Sequence, residues 1–203
     1  MTMRWRDLAV FTFLAGMSFC EGLAAEPLPR PQVDFRLNAR TVEEGRMSLA
    51  RGASGRMRVE LTRPGSFGSM TGLIDFMRNR MLMIVAFPGM EGRAVDLELP
   101  ADFALVDLGG EGTRTASDTV AAERCDVWRT QEKHSGTFID SCITPDGITL
   151  RAVVDVNGKR TVVFEALDVT RGEQDPALFD LPKGVKVTKL PSSMKGLLPS
   201  LLP

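Results

Sequence analysis

The chain contains no tyrosine, one histidine, two tryptophans and three cysteines in 203 residues. One imidazole and three thiols are too few soft ligands for a multi-residue zinc, haem or iron–sulfur site. Neither charge dominates: 25 Lys+Arg stand against 26 Asp+Glu, a formal charge of -1. That balance gives no general electrostatic reason to bind nucleic acid or an anionic membrane surface. Three motifs are missing as well. There is no Gly-x-Gly-x-x-Gly opening a helix, no phosphate-binding Gly-x-x-x-x-Gly-Lys, and no Gly-x-Ser-x-Gly elbow. What remains is a chain 43% hydrophobic and 25% charged, ordinary for a folded protein and unlike a disordered one.

The first 25 residues read as an address. Arg4 and Arg6 make a short basic start, Leu8 to Phe19 is almost wholly apolar, and Leu23-Ala24-Ala25 ends in small residues. Charged, apolar, small is the order of a cleavable secretory leader. The alternative is an uncleaved anchor, but the apolar run is far shorter than the roughly 20 residues that span a bilayer. Lipid attachment at Cys20 is rejected because Phe19, not a small residue, precedes it. Cleavage after Ala25 is expected to leave residues 26–203 in the periplasm with no transmembrane segment. The domain division is then a leader over 1–25, a β domain over 26–191 and an apolar tail over 192–203.

Export changes the meaning of the cysteines. Cys125 and Cys142 remain, an even number in an oxidising compartment. Ala122 to Gln131 and Thr137 to Ile143 flank Glu132-Lys133-His134-Ser135-Gly136, a polar stretch able to turn. If Arg129 faces Phe138, Cys125 faces Cys142, and a cross-strand disulfide follows. A redox-active pair is the competing reading. The spacing is nothing like Cys-x-x-Cys and no basic activator stands nearby.

The rest of the chain reads as strands. Val33, Phe35, Leu37 and Ala39 alternate with polar residues, and so do Met57, Val59 and Leu61. A period of two means one buried face and one wet face. Met81 to Phe87 is a continuous apolar run, and Arg93 to Leu99 follows it. Asn157-Gly158 is a strong hairpin signal, and Thr144-Pro145-Asp146-Gly147 is a turn in its own right. Gly68 to Met77 is read as strand, turning at Arg78-Asn79. Pro100 to Leu108 and Asp175 to Phe179 are each given a turn or two of helix. Gly109 to Ser117, polar and glycine-rich, is read as a connection. The fold class is mainly β (α+β): a curved antiparallel meander with a few short helices.

Candidate chemistry is sparse. Seven of the 11 methionines lie between Met47 and Met90, and their flexible thioethers suit either core filling or an adaptable apolar groove. Met57, Val59, Leu61, Met81 and Met83 are the expected lining of such a groove. Met81-x-Met83 is too little for a methionine copper site. His134 falls in a turn with no second histidine to build a catalytic triad. Glu43-Glu44 and Asp96-x-Glu98 are read as solvated carboxylates rather than an acid/base pair. Arginine outnumbers lysine 19 to six, and Arg36, Arg40, Arg56 and Arg58 alternate on wet faces. They could meet an anionic head group, but a solvated face balanced by acids is preferred. The tail (Met194, Leu197, Leu198, Leu201, Leu202) is broken by Gly196 and Pro199, too short to span a membrane, and able to fold back or dock.

Three stretches carry a resemblance: Gly112-Thr113-Arg114-Thr115 leading to Val120-Ala121-Ala122-Glu123-Arg124-Cys125-Asp126-Val127-Trp128; Asp146-Gly147-Ile148-Thr149-Leu150-Arg151; and Asp175-Pro176-Ala177-Leu178-Phe179-Asp180-Leu181-Pro182-Lys183-Gly184-Val185. Together they resemble a branch of the outer-membrane lipoprotein carriers (the LolA-like superfamily). The resemblance covers mainly residues 112–190. It implies an incomplete barrel whose apolar concave face holds acyl chains or another hydrophobic ligand. The absence of tyrosine departs from those carriers, and no ligand-contacting residue is transferred. The expected function is periplasmic and non-catalytic, binding a hydrophobic or lipid-like molecule without a cofactor. The alternative is an envelope protein–protein module using a sheet edge or the leucine-rich tail.

Overall fold

The computed structural model describes residues 25–65, 68–86, 92–99, 110–132, 136–156 and 158–189. Thirteen strands form one sheet: β1 (Glu26–Pro27), β2 (Phe35–Thr41), β3 (Arg46–Arg51), β4 (Met57–Thr62), β5 (Ser69–Asp75), β6 (Arg80–Val85), β7 (Arg93–Glu98), β8 (Glu111–Val120), β9 (Glu123–Gln131), β10 (Phe138–Ile143), β11 (Thr149–Val156), β12 (Lys159–Arg171) and β13 (Lys186–Lys189). Their spatial order is β1-β8-β9-β10-β11-β12-β2-β3-β4-β5-β6-β7-β13. Two meanders, β2–β7 and β8–β12, therefore meet along a β12–β2 seam. The sheet is curved and unclosed, and its described helical content is three single 3-10 turns.

Alternation in the sequence becomes the pleat. In β2, Phe35, Leu37 and Ala39 are buried while Arg36 and Arg40 are exposed. Directly opposed residues carry this face across the first meander: Leu37 faces Leu49, Leu49 faces Val59, and Gly72 lies between Val59 and Met83. A second row runs through Met57, Ile74, Met81 and Leu97. Val120, Cys125, Cys142, Ile148, Leu150, Phe164 and Ala166 from the second meander join the same apolar cluster. Each Val, Leu, Ile, Phe or Met among them contributes about 1.5–3 kcal/mol when fully buried.

The turns follow their residues. Asp75 caps the 3-10 turn Phe76–Arg78, and Asn79 takes the left-handed conformation (φ 49°) that brings β6 back on β5. At the β10–β11 turn Gly147 has φ 87°, and a Cβ there would stand 2.0 Å from the Arg30 carbonyl. Glycine is required twice over: for the positive φ and for the N-terminal segment lying on it. Gln32 N–H donates to the Asp146 carbonyl (3.1 Å), fixing that crossing.

Two features depart from the sequence reading. Glu111–Val120 is a ten-residue strand, not a connection. It is polar along both faces because it lies near the edge of the sheet, so it offered no apolar alternation to detect. And β13 pairs parallel to β7 rather than antiparallel. The chain reaches it by a strap after β12, which includes the short helix expected near Asp175–Phe179, found as a 3-10 turn at Pro176–Phe179. Phe179 packs where a Cβ on Gly52 would be, 2.5 Å away, and Arg56 lies over its ring at 5.9 Å. Arg56 and Arg58 donate to the Phe179 and Leu178 carbonyls, tying the strap to β4 and its preceding turn. The leader over 1–24, Pro100–Leu108, His134, Asn157 and the tail from 190 onward lie outside the described residues.

Candidate functional site

The five residues expected to line a groove share one face of β4 and β6. Met57 lies opposite Ile74 and Ile74 opposite Met81, while Val59 and Met83 both flank Gly72. Met57, Val59, Met81 and Met83 are buried, and Leu61 is half-buried against the same cluster. The structure thus brings all five together and packs them into the core. Met47 is buried among them and Met70 partly so, whereas Met77 is exposed.

The second meander is organised around the β8–β9 and β9–β10 hairpins, and the expected cysteine hairpin is the second of these. A disulfide joins Cys125 and Cys142, with Cα atoms 5.4 Å apart. Its register differs from the expected one. Cys142 lies opposite Val127, and Phe138 opposite Gln131, a slip of two residues that leaves the cysteines diagonal. A slip of two keeps every side chain on its face, so the bridge still forms. Residues 123–125 run past the end of β10, and the hairpin tip curls back over the sheet. Asp118 of β8 pairs with Arg151 of β11, and Glu123 of β9 with Arg171 of β12. On a flat sheet, β8 and β11 would stand roughly 14 Å apart at ordinary strand spacing, so this pairing requires strong curvature.

At the tip itself, Ala121 and Ala122 have φ of 51° and 61°. A two-residue turn with both φ positive matches the twist of the strands but normally uses Asn and Gly. Each alanine pays about 1–2 kcal/mol for that conformation. Around it the disulfide and two ion pairs hold the turn in place.

Several charges of this half are paired with one another. Asp140 is buried, and Arg129 grips it with two bonds (2.7 and 2.9 Å) while Arg160 adds a third (2.8 Å). The Arg129 bonds hold the Asp140 carboxyl below the usual carboxylate range, against the opposing effect of burial. Arg171 does the same for Asp146, and Arg151 for Asp118. Bonded to Glu123 first and Asp146 second, Arg171 is itself held above its ordinary value. Of the wet-face arginines, Arg40 meets Glu165, Arg56 meets Asp180 and Arg58 meets Glu60. Asp96, one of the sequence's carboxylate pairs, is tied to Arg80 and kept ionised by it. Among the described residues no group of His, Cys, Asp and Glu could hold a metal ion, and no helix is long and apolar enough to cross a membrane.

A site that the sequence reading missed lies at the β1 edge. Leu28, Trp128 and Ile143 form a small apolar cluster apart from the main core. Trp128 is 6% exposed, yet its indole Nε1 is buried with no hydrogen-bond partner. Leaving a buried donor bare costs about 1–3 kcal/mol. Nearly all buried polar groups in folded proteins have a partner, so this one asks for an explanation. β1 covers only Glu111 and Gly112 of β8. The sequence held one signal for this: Trp128 is the sole tryptophan outside the leader.

No family model matches the sequence, and no curated protein is found similar to it. Solved structures do share the architecture. A conserved protein from Thermus thermophilus aligns with TM-score 0.55 at 15% identity, over 78% of this chain and 91% of that one. The Pseudomonas aeruginosa MucA/MucB complex aligns at 0.50 and 10% identity over 79% of this chain, and PNGF-II at 0.51 and 13% over 82%. The chain spans 59% of the matched chain of the complex and 32% of PNGF-II. At these identities the likeness is one of fold, a curved unclosed sheet of the kind that the lipoprotein-carrier resemblance implies.

Proposed function

We propose that the protein is an extracytoplasmic, non-catalytic module that binds another protein of the cell envelope. The observation that carries this reading is the open sheet: its apolar face is filled by its own side chains, while its rim and edges stay exposed. Four of the five groove candidates are fully packed, which favours a partner at the edge over a ligand in the interior. The Cys125–Cys142 bridge supports an oxidising compartment, since such bonds are rare in a reducing cytosol. One neighbour in fold, MucB, is found in complex with a protein, MucA.

A second reading, a hydrophobic or lipid-like ligand on the inner face, is favoured by the methionines. Met47, Met57, Met81 and Met83 gather on that face, and unbranched thioether side chains repack more readily than branched ones. Native mass spectrometry of the protein isolated gently from its own envelope separates the two. A polypeptide-sized added mass is the expected result. An added mass in the lipid range transfers the proposal to the second reading, and the bare mass alone overturns both.

A further inference from the structure

We propose that β1 is a displaceable occupant of a docking seat for an extended segment of a partner protein, built from the outer edge of β8 and the Trp128 pocket. This deepens the protein-binding reading above and rests on it.

β1 holds its place weakly. Its two residues pair with Gly112 and Glu111, and Leu28 N–H donates to the Gly110 carbonyl (3.0 Å). Leu28 N–H faces β8, so the Pro27 and Pro29 nitrogens on either side of it face away, and β1 meets the edge only through the alternate residues Glu26 and Leu28. Leu28 then plugs a cluster of only three residues, separate from the main core. Beneath it Trp128 keeps its unpartnered buried donor. A seat whose present occupant pairs only two residues and leaves a buried donor bare suits a longer occupant.

The register says what that occupant is. β8 lies between β1 and β9, and among the described residues no strand pairs with Thr113–Val120 on the side away from β9. Because β1 runs antiparallel to β8, a strand continuing it backward from Glu26 lies against Thr113 and then Arg114. Beyond Arg114 a bulge re-aims β8 and ends a simple ladder. The fitting partner is therefore a strand of about five residues, antiparallel to β8, with no proline at the alternate positions that face β8 and an apolar anchor at its C-terminal end. It brings carbonyl or hydroxyl acceptors into the neighbourhood of the indole. Arg30–Pro31, seated on Gly147, stays fixed and acts as the pivot about which β1 leaves.

Trp128 reports on its own seat, because residues 26–203 contain no other tryptophan. The probe is the peptide Ala-Ala-Glu-Thr-Leu-Thr-Arg, which is residues 24–30 with threonine at both proline positions. Added to the chain beginning at Glu26, it should shift Trp128 emission saturably. The tethered β1 competes at millimolar effective concentration, so Leu28→Ala should bind the peptide at least tenfold more tightly. The same peptide with alanine for leucine should bind neither protein. Should Leu28→Ala fail to fold, hydrogen exchange of the unsubstituted protein at millimolar peptide decides, with new protection expected at Arg114, whose N–H faces the open edge, and none at Thr113, whose N–H faces β9. No emission change and no new protection overturns the seat. If a polypeptide is found by native mass spectrometry while the peptide fails, the seat falls and the protein-binding reading stands. If the peptide binds and no polypeptide is found, the edge accepts a strand but the protein-binding reading falls, and the seat's role with it.

Discussion

The two meanders solve the same problem by different means. The first, β2–β7, is held by apolar rows that together cross six strands. The second, β8–β12, adds a disulfide, a left-handed Ala-Ala turn and a network of arginine–aspartate bonds. Three of the four aspartates held below their ordinary range (Asp118, Asp140, Asp146) belong to it, and only Asp96 to the first. Curling the β8–β9 tip back over its own sheet leaves residues 123–125 paired with β8 but without partners on the β10 side. Covalent and ionic ties replace them. The lesson is that curvature, not composition, decides where this sheet places its staples.

The sharpest way to break this contrast is in the first meander. Met57→Ala removes a side chain with 0% exposure and should cost about 2–5 kcal/mol, read as a lower urea midpoint with an unchanged slope. A loss below 1 kcal/mol would mean that the Met-lined face is loosely filled and open to a ligand, against the core reading.

Next comes the staple. Replacing Cys125 and Cys142 together by serine should cost about 3 kcal/mol, the chain-entropy value for a loop of this size, and Met57 should feel it little. Equal stability with and without reductant would show that the ion pairs alone hold the tip.

The smallest effect is that of pH. Asp140 binds a proton less readily folded than unfolded, so its contribution is fully present above the ordinary carboxylate pKa and fades as pH falls through the lowered folded value. Asp140→Asn should therefore flatten the acid limb of the stability curve and lower the neutral plateau by about 1–3 kcal/mol, because Arg129 and Arg160 lose their shared carboxylate. An unchanged acid limb would place the pH dependence on Asp118 and Asp146 instead.

Where side chains repeat with the pleat, the fold was readable from sequence. Phe35-Leu37-Ala39 and Met57-Val59-Leu61 announced their buried face, Thr144-Pro145-Asp146-Gly147 its turn, and Cys125 and Cys142 their bond. Glu111–Val120 was not readable, because a strand near the sheet's edge with polar residues on both faces has no period to show. The hairpin register slipped by two for a related reason: within Thr137–Ile143 either pairing leaves the same side chains on the same face. Nor could the Trp128 seat be found, since Leu28 and Trp128 lie 100 residues apart in the chain.

The sequence by itself determined the class of structure, the pairing of Cys125 with Cys142 and the shortage of histidine and cysteine for a multi-residue soft-metal site, because those depend on residue type and local spacing. Only the tertiary structure decided that β12 joins β2, that the Met-rich face is packed, and that β1 half-fills an edge beside an unpaired indole. Those outcomes are long-range pairings, and their energies depend on which surfaces meet after the sheet has curled.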